Sequence, residues 1–515
     1  MRVPLTVGDF LERAAVVYGD RVAIVDEPAV PGSLGSVTYA EMAARARGMA
    51  LALDAMDVAP GERVALVSPN SGRFLVSFFG VSGYGRVLVP INFRLHPDEV
   101  AYIVTHSGAR VLLVDPELED RLAAVPVPMR LVLDGRRDAE LFAPAPEASE
   151  PRPWSPDEDA TCSINYTSGT TARPKGVELT HRTCWLNAAS FGWHTTVTDR
   201  DTLLHTLPMF HCNGWGMPYA VTAMGGRHVV LRKVDGGEIL RRVEAEGVTL
   251  LCGAPAVVAA VLGAAVERGA RGEAVPGAGT VRMVVAGAPP PSRTIERMER
   301  ELGWEFIQIY GLTETAPLLT VNRARGEWDE LDAPQRASHL ARAGVPAVGV
   351  RVRVDEDGEV LARSNHVFAG YWAQPEESAA ALAGGWFHTG DGGHLDGPYT
   401  VISDRKKDVI ITGGENVSSI EVEDCLYQHQ AVAEVAVIGV PDEKWGETIK
   451  ALVVVRDGTE VTEAELIEHC RARMAHFKAP TSVEMREELV RTATGKLQKY
   501  KLRQPYWEGR ERGVN

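Results

Sequence analysis

The most informative segment of this chain is Tyr166-Thr-Ser-Gly-Thr-Thr-Ala-Arg-Pro-Lys-Gly-Val177. It combines two glycines and four small hydroxyl side chains with an arginine and a lysine. The flanking pattern predicts a strand at Thr161–Asn165 and a helix from Glu178 onward. A loop of this composition between a strand and a helix offers backbone N–H groups, hydroxyls and the charge of Lys175 to a phosphate. It is not a Walker A loop, because Lys175 precedes its glycine and no Ser or Thr comes directly after.

This segment resembles the phosphate loop of the adenylate-forming (AMP-binding) superfamily, which includes acyl- and aryl-CoA ligases, beetle luciferases and peptide-synthetase adenylation domains. The alternative interpretation is a solvated Ser/Thr/Gly turn. Relatives have a third glycine where this chain has Ala172, and alanine resists positive φ. We expect an ordinary φ at Ala172. The resemblance implies that Lys175 is catalytic and that ATP is bound by Thr167, Ser168, Gly169, Thr170 and Thr171.

Composition and charge restrict the class of partner. The chain has 515 residues, enough for two or more domains, and a net charge of −15. Such a charge argues against nucleic acid or an anionic membrane as the main partner, so polyanionic ligands would need locally basic sites. Six scattered cysteines without C-x-x-C spacing predict neither a zinc site nor a disulfide framework and suit a reducing cytosol. The terminal residues lack secretory and peroxisomal patterns, and we expect a cytoplasmic protein.

Strand-like and helical patterns alternate along the first part of the chain. We predict helices at Thr6–Tyr18, Tyr39–Leu53, Phe74–Gly83 and His96–His106, and strands at Glu62–Val67, Arg86–Ile91 and Arg110–Val114. The uncharged run Leu250–Val266 contains Pro255 and is short for a membrane span, so a buried strand, a turn and a core helix are expected there, and no integral membrane segment. A Pro/Ala/Glu-rich stretch from Leu141 to Pro156 is expected to be a surface loop.

This alternation predicts an α/β fold. We expect a large N-terminal domain of layered mixed or parallel sheets with helices on both faces. After Asp404 the pattern changes to a compact run of short strands and two helices, which is the size of a small α+β domain. The predicted divisions are residues 1–403 for the AMP- and acyl-binding domain, 404–408 for a hinge and 409–515 for a mobile C-terminal domain.

A second motif is Leu207-Pro-Met-Phe-His-Cys-Asn-Gly-Trp-Gly216. Taken alone, it is an aromatic-rich core turn with a structural histidine. In the superfamily this position lines the acyl pocket, and the resemblance implies that His211 lies beside the substrate carboxylate. Adenylation domains for amino acids have an aspartate there, so His211 argues against an amino-acid substrate. Trp215 matches a tryptophan that gates the acyl tunnel of fatty acyl relatives, and its flanking glycines would allow that ring to swing.

Three further segments match the superfamily's nucleotide site. Small residues at 287–289 allow close approach of a planar base, and Tyr310 offers a ring for stacking. The resemblance implies that Thr313 contacts the α-phosphate, that Glu314 binds Mg²⁺ and that Asp391 binds the ribose with Arg405. A carboxylate with substrate phosphates is a donor set that suits Mg²⁺. The complete set of matched ATP- and AMP-binding residues here is Gly287, Ala288, Pro289, Tyr310, Gly311, Thr313, Asp391 and Arg405.

The last matches lie in the C-terminal part. Lys407 matches the hinge about which the small domain rotates, and Lys496 matches the catalytic lysine that bridges the acyl carboxylate and the α-phosphate. Gly413, Gly414 and Glu415 match the loop that closes on the pantetheine arm of coenzyme A, where glycine permits close backbone approach. A solvated basic face is the alternative for the segment around Lys407.

Together these motifs cover nearly the whole chain and predict an acid–thiol ligase. It would use ATP, Mg²⁺ and coenzyme A to convert a small carboxylic acid into acyl-AMP and then acyl-CoA. The motifs, as they stand in this chain, resemble those of ligases for short- to medium-chain or aryl acids. An acyl-AMP ligase that loads a carrier protein and a catalytically silent nucleotide or acyl-AMP sensor are the alternatives, and the sequence leaves open whether the chain forms a homodimer.

Overall fold

The computed structural model describes residues 2–167, 174–287, 290–405, 408–412, 415–442, 445–491 and 497–508. Its helices are α1 Gly8–Tyr18, α2 Tyr39–Ala55, α3 Gly72–Gly80, α4 Pro97–Ser107, α5 His181–His194, α6 Met217–Met224, α7 Gly236–Glu246, α8 Pro255–Ala270, α9 Ser292–Arg297, α10 Ala333–Leu340, α11 Pro375–Ala381, α12 Ser419–Tyr427, α13 Glu463–Arg471 and α14 Lys499–Trp507.

The strands are β1 Val22–Val25, β2 Ser36–Thr38, β3 Arg63–Val67, β4 Val87–Ile91, β5 Val111–Val114, β6 Met129–Val132, β7 Thr161–Thr167, β8 Lys175–Thr180, β9 Thr202–His205, β10 Arg227–Val230, β11 Leu250–Gly253, β12 Arg282–Val285, β13 Glu305–Gly311, β14 Leu318–Arg323, β15 Val345–Pro346, β16 Val350–Val354, β17 Glu359–Ser364, β18 Gly370–Tyr371, β19 Phe387–Asp396, β20 Tyr399–Arg405, β21 Ile410–Thr412, β22 Glu415–Val417, β23 Val432–Asp442, β24 Gly446–Val455 and β25 Ser482–Met485.

Two large mixed sheets form the body of the N-terminal part. One has the strand order β15-β14-β13-β12-β11-β9-β10-β1-β2, and the other has the order β18-β8-β7-β4-β3-β5-β6. Most neighbours in their interiors are parallel, whereas β7–β8, β8–β18 and β13–β14 are antiparallel. A third, antiparallel sheet has the order β16-β17-β19-β20. The predicted α/β fold of layered mixed sheets is confirmed.

The main core is built around α3, whose residues are all buried. Phe78 and Phe79 of α3 lie edge-on to Tyr219 of α6, with ring centroids 5.6 and 5.7 Å apart. Burying large aromatic rings supplies much of a core's apolar area. The helices predicted near residues 6, 39, 74 and 96 are confirmed with shifts of one or two residues at most ends, since their apolar periodicity is strong.

The uncharged run that begins at Leu250 forms β11 followed by α8, as predicted. Pro255 occupies the first turn of α8, where its missing N–H leaves no hydrogen bond unmade. Within the ranges given above, no helix is long and apolar enough to cross a membrane. All six cysteines are buried free thiols.

The last part of the chain has a sheet of its own. It has the order β22-β21-β24-β23, and β25 pairs with β24. The prediction of short strands and two helices was wrong, because β23 and β24 span 11 and 10 residues and α14 is a third helix. The apolar pattern of α14 is weak, since Leu502 is its one buried residue, and it contains Pro505. Its signal was therefore too faint to predict a helix from the sequence.

Candidate functional site

The predicted phosphate loop connects two antiparallel strands. Thr167 at the end of β7 lies opposite Lys175 at the start of β8. The predicted helix from Glu178 was wrong, because Glu178 lies in the strand β8, where it pairs with Ile164 of β7 on one side and Gly370 of β18 on the other. Helix α5 begins at His181, after Thr180 accepts a hydrogen bond from the N–H of Thr183. The loop therefore joins the two strands of a hairpin.

Four of the predicted loop ligands, Ser168, Gly169, Thr170 and Thr171, lie outside the described residues, as does Ala172. The two ends of the loop are nevertheless fixed by the sheet. Thr167 and Lys175 pair with each other at the same end of β7 and β8. Their roles in ATP binding stay predictions.

Lys175 lies over an aromatic ring that the sequence analysis did not single out. Its Nζ is 4.8 Å from the ring centroid of Tyr371, the distance of a cation–π contact. Tyr371 reaches this position because β18 pairs with β8, which places Tyr371 opposite Val177. The Tyr371 hydroxyl donates a hydrogen bond of 2.9 Å to Oε1 of Glu314. One tyrosine thus contacts both the predicted catalytic lysine and the predicted metal ligand.

Glu314 lies in a short turn directly after β13. Its carbonyl oxygen accepts a hydrogen bond of 2.8 Å from the N–H of Phe368. Phe368 in turn packs edge-on against Tyr371, with ring centroids 4.8 Å apart. Both the backbone and the carboxylate of Glu314 are therefore positioned by the segment 368–371, which explains how two parts of the chain that are far apart in sequence form one site.

The glycines of the predicted adenine segments have different physical requirements. At Gly311 an added Cβ would lie 1.5 Å from the carbonyl oxygen of Pro317, so only glycine fits. Gly287 has a φ of +93°, and among the described residues a Cβ there would meet no atom within 4 Å. Its backbone is thus exposed beside open space, as close approach of a flat ligand would require. Ala288 and Pro289 lie outside the described residues.

Tyr310 and Asp391 were predicted separately, for the base and the ribose, and the structure brings them together. The Tyr310 hydroxyl donates a hydrogen bond of 2.8 Å to Oδ2 of Asp391. Asp391 is buried, and its N–H donates to Oγ1 of Thr389 at 3.1 Å. The pairing of β19 with β20 places Asp391 opposite Arg405 in the backbone register. The side chain of Arg405 is not among the described groups.

The segment from His211 to Gly216 forms a left-handed turn. Cys212, Asn213, Gly214, Trp215 and Gly216 have φ values of 46°, 51°, 58°, 59° and 77°. A left-handed conformation costs an L-residue roughly 1–2 kcal/mol, except for glycine and, in part, asparagine. Such a turn persists only where its surroundings over-determine it.

Buried amides hold this turn. Asn187 of α5 donates to the carbonyl oxygen of Trp215 at 3.2 Å and accepts from the N–H of Leu318 at 3.2 Å. Within the turn, Asn213 donates to Oγ of Ser163 on β7 at 2.7 Å. Asn187 was not singled out from the sequence, since a polar residue inside a helical pattern carries no signal of its partner.

His211 begins the turn and is half-buried, whereas Trp215 is 4% exposed and packs in the main core. The burial of Trp215 leaves its predicted gating of an acyl tunnel a prediction. The turn also contacts the segment that carries Glu314, because the Cys212 thiol donates to the Thr313 carbonyl at 3.8 Å. Burial raises the pKa of the Cys212 thiol, and the neighbouring Cys184 and Glu314 raise it further. A protonated thiol is not a nucleophile, so Cys212 has a structural place here.

Most of the predicted site residues in the C-terminal part are not among the described residues. Lys407, Gly413, Gly414 and Lys496 lie outside the described residues. Glu415 is exposed and pairs with Thr412 between the antiparallel strands β21 and β22. The predicted roles of all five residues stay predictions.

Comparisons with known proteins agree with these motifs. The sequence pattern of the AMP-binding enzyme family matches residues 11–372, and that of the AMP-binding enzyme C-terminal domain matches residues 421–496. A 4-hydroxybutyrate–CoA ligase of Metallosphaera sedula is 37% identical over 96% of this chain and 93% of its own length. A 2-methylpropanoate–CoA ligase of Humulus lupulus is 36% identical over 97% and 95%. The crystal structure of an anthranilate–CoA ligase in complex with anthranoyl-AMP superimposes with a TM-score of 0.86, at 27% identity over 98% and 99% of the two chains.

Proposed function

Since the chain belongs to the AMP-binding enzyme family, we propose that it is an ATP-dependent carboxylic acid–CoA ligase that forms acyl-AMP and then acyl-CoA. The observation that carries this proposal is the contact of Tyr371 with both Lys175 and Glu314. It gathers a cation and a carboxylate at the end of β8 that adjoins the predicted phosphate loop. A nucleoside triphosphate with its metal ion needs such a pair, since the cation attracts the phosphates and the carboxylate binds the metal.

We propose that the acid is a short- to medium-chain or aryl acid. The relatives named above are ligases of 4-hydroxybutyrate and 2-methylpropanoate, and the solved neighbour is a ligase of anthranilate. All three are small acids. His211, which replaces the aspartate of amino-acid-activating relatives, agrees with a substrate that lacks an α-amino group.

In the first step one oxygen of the substrate carboxylate attacks the α-phosphorus of ATP. The new O–P bond forms as the bond to the bridging oxygen breaks, and pyrophosphate leaves with that electron pair. Lys175 and Lys496 would offset the negative charge that develops on the phosphates and the carboxylate. Because no protein nucleophile is needed, orientation and charge stabilisation account for the catalysis.

The proposed metal ligand is compatible with Mg²⁺. Among the described residues, no group of three or more His, Cys, Asp or Glu side chains could hold a metal ion. A single carboxylate suits Mg²⁺, which commonly keeps several waters and takes substrate phosphates as its other ligands. Glu314 would hold the ion, and when bound it would neutralise charge on the phosphates of ATP. Tyr371 orients the carboxylate for this task.

The second step is thioester formation. The thiolate of coenzyme A attacks the acyl carbonyl carbon, the C–S bond forms, and AMP leaves with the electrons of the C–O bond. We propose that the small domain rotates about Lys407 between the two steps. This rotation would withdraw Lys496 and bring the loop of Gly413 and Gly414 over the acyl-AMP, so that one site serves two reactions.

Two measurements test the proposal. Purified protein should release pyrophosphate with acid and ATP and form thioesters with coenzyme A across a panel of acids from acetate to dodecanoate, benzoate and cinnamate. Absence of pyrophosphate release with every acid would favour a silent sensor. Acyl transfer to a holo-carrier protein but not to coenzyme A would favour a carrier-loading ligase.

The proposed division of labour is tested at Lys496. Lys496→Ala should lose pyrophosphate release and keep thioester formation from preformed acyl-AMP. The reason is that the ammonium group of Lys496 is proposed to act on the carboxylate and the α-phosphate, which react in the first step only. Equal loss of both half-reactions would contradict this role. We further propose that the enzyme acts in the cytoplasm. Its oligomeric state is a separate question, and sedimentation equilibrium would distinguish a monomer from a homodimer.

A further inference from the structure

An arginine-lined cleft lies between the two parts of the chain, beyond the predicted nucleotide site. Its volume is about 400 Å³. One wall belongs to α9 and the helical turn that follows it, and the other belongs to the residues just before β23 and just after β24. The residues that line it and matter here are Arg293, Arg297, Arg300, Glu301, Gln430 and Arg456.

Hydrogen bonds join α9 to α12 and to the residue that follows α12, next to the cleft residue Arg293. The N–H and the hydroxyl of Ser292 donate to Oδ1 of Asp424 at 3.1 and 3.3 Å. The Arg293 guanidinium donates to the carbonyl oxygen of Gln428 at 2.9 Å. The opposing walls are therefore held at a defined separation by contacts that belong to this arrangement of the two domains.

The small-domain wall presents Arg456. Its guanidinium donates to the carbonyl oxygens of Gln430 at 3.1 Å and Val432 at 3.2 Å. These bonds fix the orientation of the guanidinium and use only part of its five N–H donors. Burial lowers the pKa of Arg456, the charges of Arg297 and Arg293 lower it further, and Glu301 raises it, so Arg456 lies within electrostatic range of the opposite wall.

The charges of the cleft do not cancel. Four arginines and the single carboxylate of Glu301 line it, which leaves a net charge of +3. Glu301 is engaged by Arg297 through two bonds of 2.9 Å and by Arg300 at 3.2 Å. Arg300 also bonds Glu296 at 2.8 Å, and counting that carboxylate still leaves +2. In a protein of net charge −15, this is a locally basic site of the kind that a polyanion requires.

We propose that this cleft is a second phosphate site, which binds a chain of two or more phosphates between the two domains. Guanidinium groups are planar and bind phosphate through paired hydrogen bonds, so a phosphate chain matches their chemistry. The volume suits a small anion. Because arginines of both domains contribute, a bound anion favours the observed arrangement of the domains over others.

Isothermal titration with inorganic tripolyphosphate, at fixed ionic strength and without Mg²⁺, tests the site. The variants are Arg293→Gln on the large domain, Arg456→Gln on the small domain and Arg471→Gln as a control, since Arg471 is an exposed arginine of α13 that does not line the cleft. Each is also made with Lys175→Ala to weaken the nucleotide site. In that background the cleft should bind tripolyphosphate, and each cleft variant should bind it about tenfold more weakly, the equivalent of ~1.4 kcal/mol.

The outcomes separate the possibilities. Equal binding by Lys175→Ala with and without Arg456→Gln would overturn the proposal. If Arg456→Gln weakens the binding of tripolyphosphate and Arg293→Gln does not, the claim that both domains contribute would be overturned. Repeating the titration with ATP distinguishes an inorganic source of the phosphate chain from a nucleotide source, and binding of either supports the site. Equally tight binding of polyglutamate would overturn it in favour of an acidic peptide. If Lys175→Ala leaves total binding unchanged, the proposed role of Lys175 fails while the cleft is still tested by its own variants.

Discussion

Tyr371→Phe isolates one contact at the centre of the site. The change removes the hydroxyl that donates to Glu314 at 2.9 Å. It keeps the aromatic ring, and with it the contact to Lys175 and the packing against Phe368. The variant therefore asks whether orienting the Glu314 carboxylate matters for adenylation.

The expected loss follows from the kind of bond and its surroundings. A hydrogen bond to a charged group contributes about 1.5–3 kcal/mol. Tyr371 and Glu314 are both only partly buried, which places this bond near the lower end. A loss of ~1.5 kcal/mol corresponds to roughly a tenfold effect. Because Glu314 is proposed to hold the metal ion of ATP, we expect the variant to need a higher Mg²⁺ concentration and to adenylate about tenfold more slowly.

The assay is pyrophosphate release at saturating acid, measured over a range of Mg²⁺ and ATP concentrations. Tyr506→Phe is a matched control, since the Tyr506 hydroxyl also donates to a glutamate, Oε2 of Glu484, in the small domain. Tyr371→Ala should lose a further ~0.5–1 kcal/mol, because it also removes the ring beneath Lys175. Pyrophosphate release by Tyr371→Phe within twofold of wild type at every Mg²⁺ concentration would refute this account of Glu314.

Three further predictions concern stability. Gly311→Ala should lower the free energy of unfolding by about 4 kcal/mol or more and the midpoint of thermal unfolding by roughly 5 °C. The reason is that the added Cβ would lie 1.5 Å from the Pro317 carbonyl oxygen. Gly216→Ala should cost about 2–3 kcal/mol, because it combines a φ of +77° with a Cβ 2.5 Å from Nδ2 of Asn187. Burial lowers the pKa of His205 to about 3. As the pH falls below about 6.5, His205 is therefore protonated in the unfolded chain but not in the folded protein, which lowers the free energy of unfolding by about 2 kcal/mol at pH 5.

Controls keep these stability predictions specific. Gly326→Ala is a matched variant for both glycines, since its Cβ would meet no atom of the described part of the chain within 4 Å and its φ is ordinary. An unfolding midpoint for Gly311→Ala or Gly216→Ala equal to that of Gly326→Ala would contradict the steric argument. For the histidines, calorimetry at pH 5.5 in buffers of different ionisation enthalpy should show proton uptake on unfolding. His228 and His181, whose pKa values are also lowered by burial, should add to it, and release of protons would contradict the sign.

Much of this architecture could be predicted from local sequence patterns. The α/β fold and the helices of the first hundred residues follow from apolar periodicity, and the motifs around Lys175, Glu314 and Asp391 were recognised one by one. The strand β8 was missed because its six residues lack a clear alternation and run directly into the helical pattern that begins at His181. A single sequence gives such boundaries poorly.

The contacts that unite the site could not be predicted in the same way. Tyr371 reaches Lys175 and Glu314 through the pairing of a two-residue strand with β8, and nothing in the local sequence around Tyr371 specifies that partner. Asn187 likewise acts on a turn in another part of the chain. Long-range contacts of this kind depend on the packing of the whole domain, and the sequence pattern of each segment is compatible with many partners.

The left-handed turn at residues 212–216 has a consequence for the chirality of the residues that occupy it. Its backbone is the approximate mirror image of an ordinary right-handed turn, so the enantiomer of an ordinary amino acid would adopt it without strain. In a semisynthetic protein, D-cysteine at position 212 or D-tryptophan at position 215 would have a favoured φ, although its side chain would leave the Cα in a different direction. The same inversion within α3 would disrupt a fully buried right-handed helix. Stereochemical substitution therefore separates the demand of the backbone from that of the side chain at this turn, which no exchange among the natural L-residues can do.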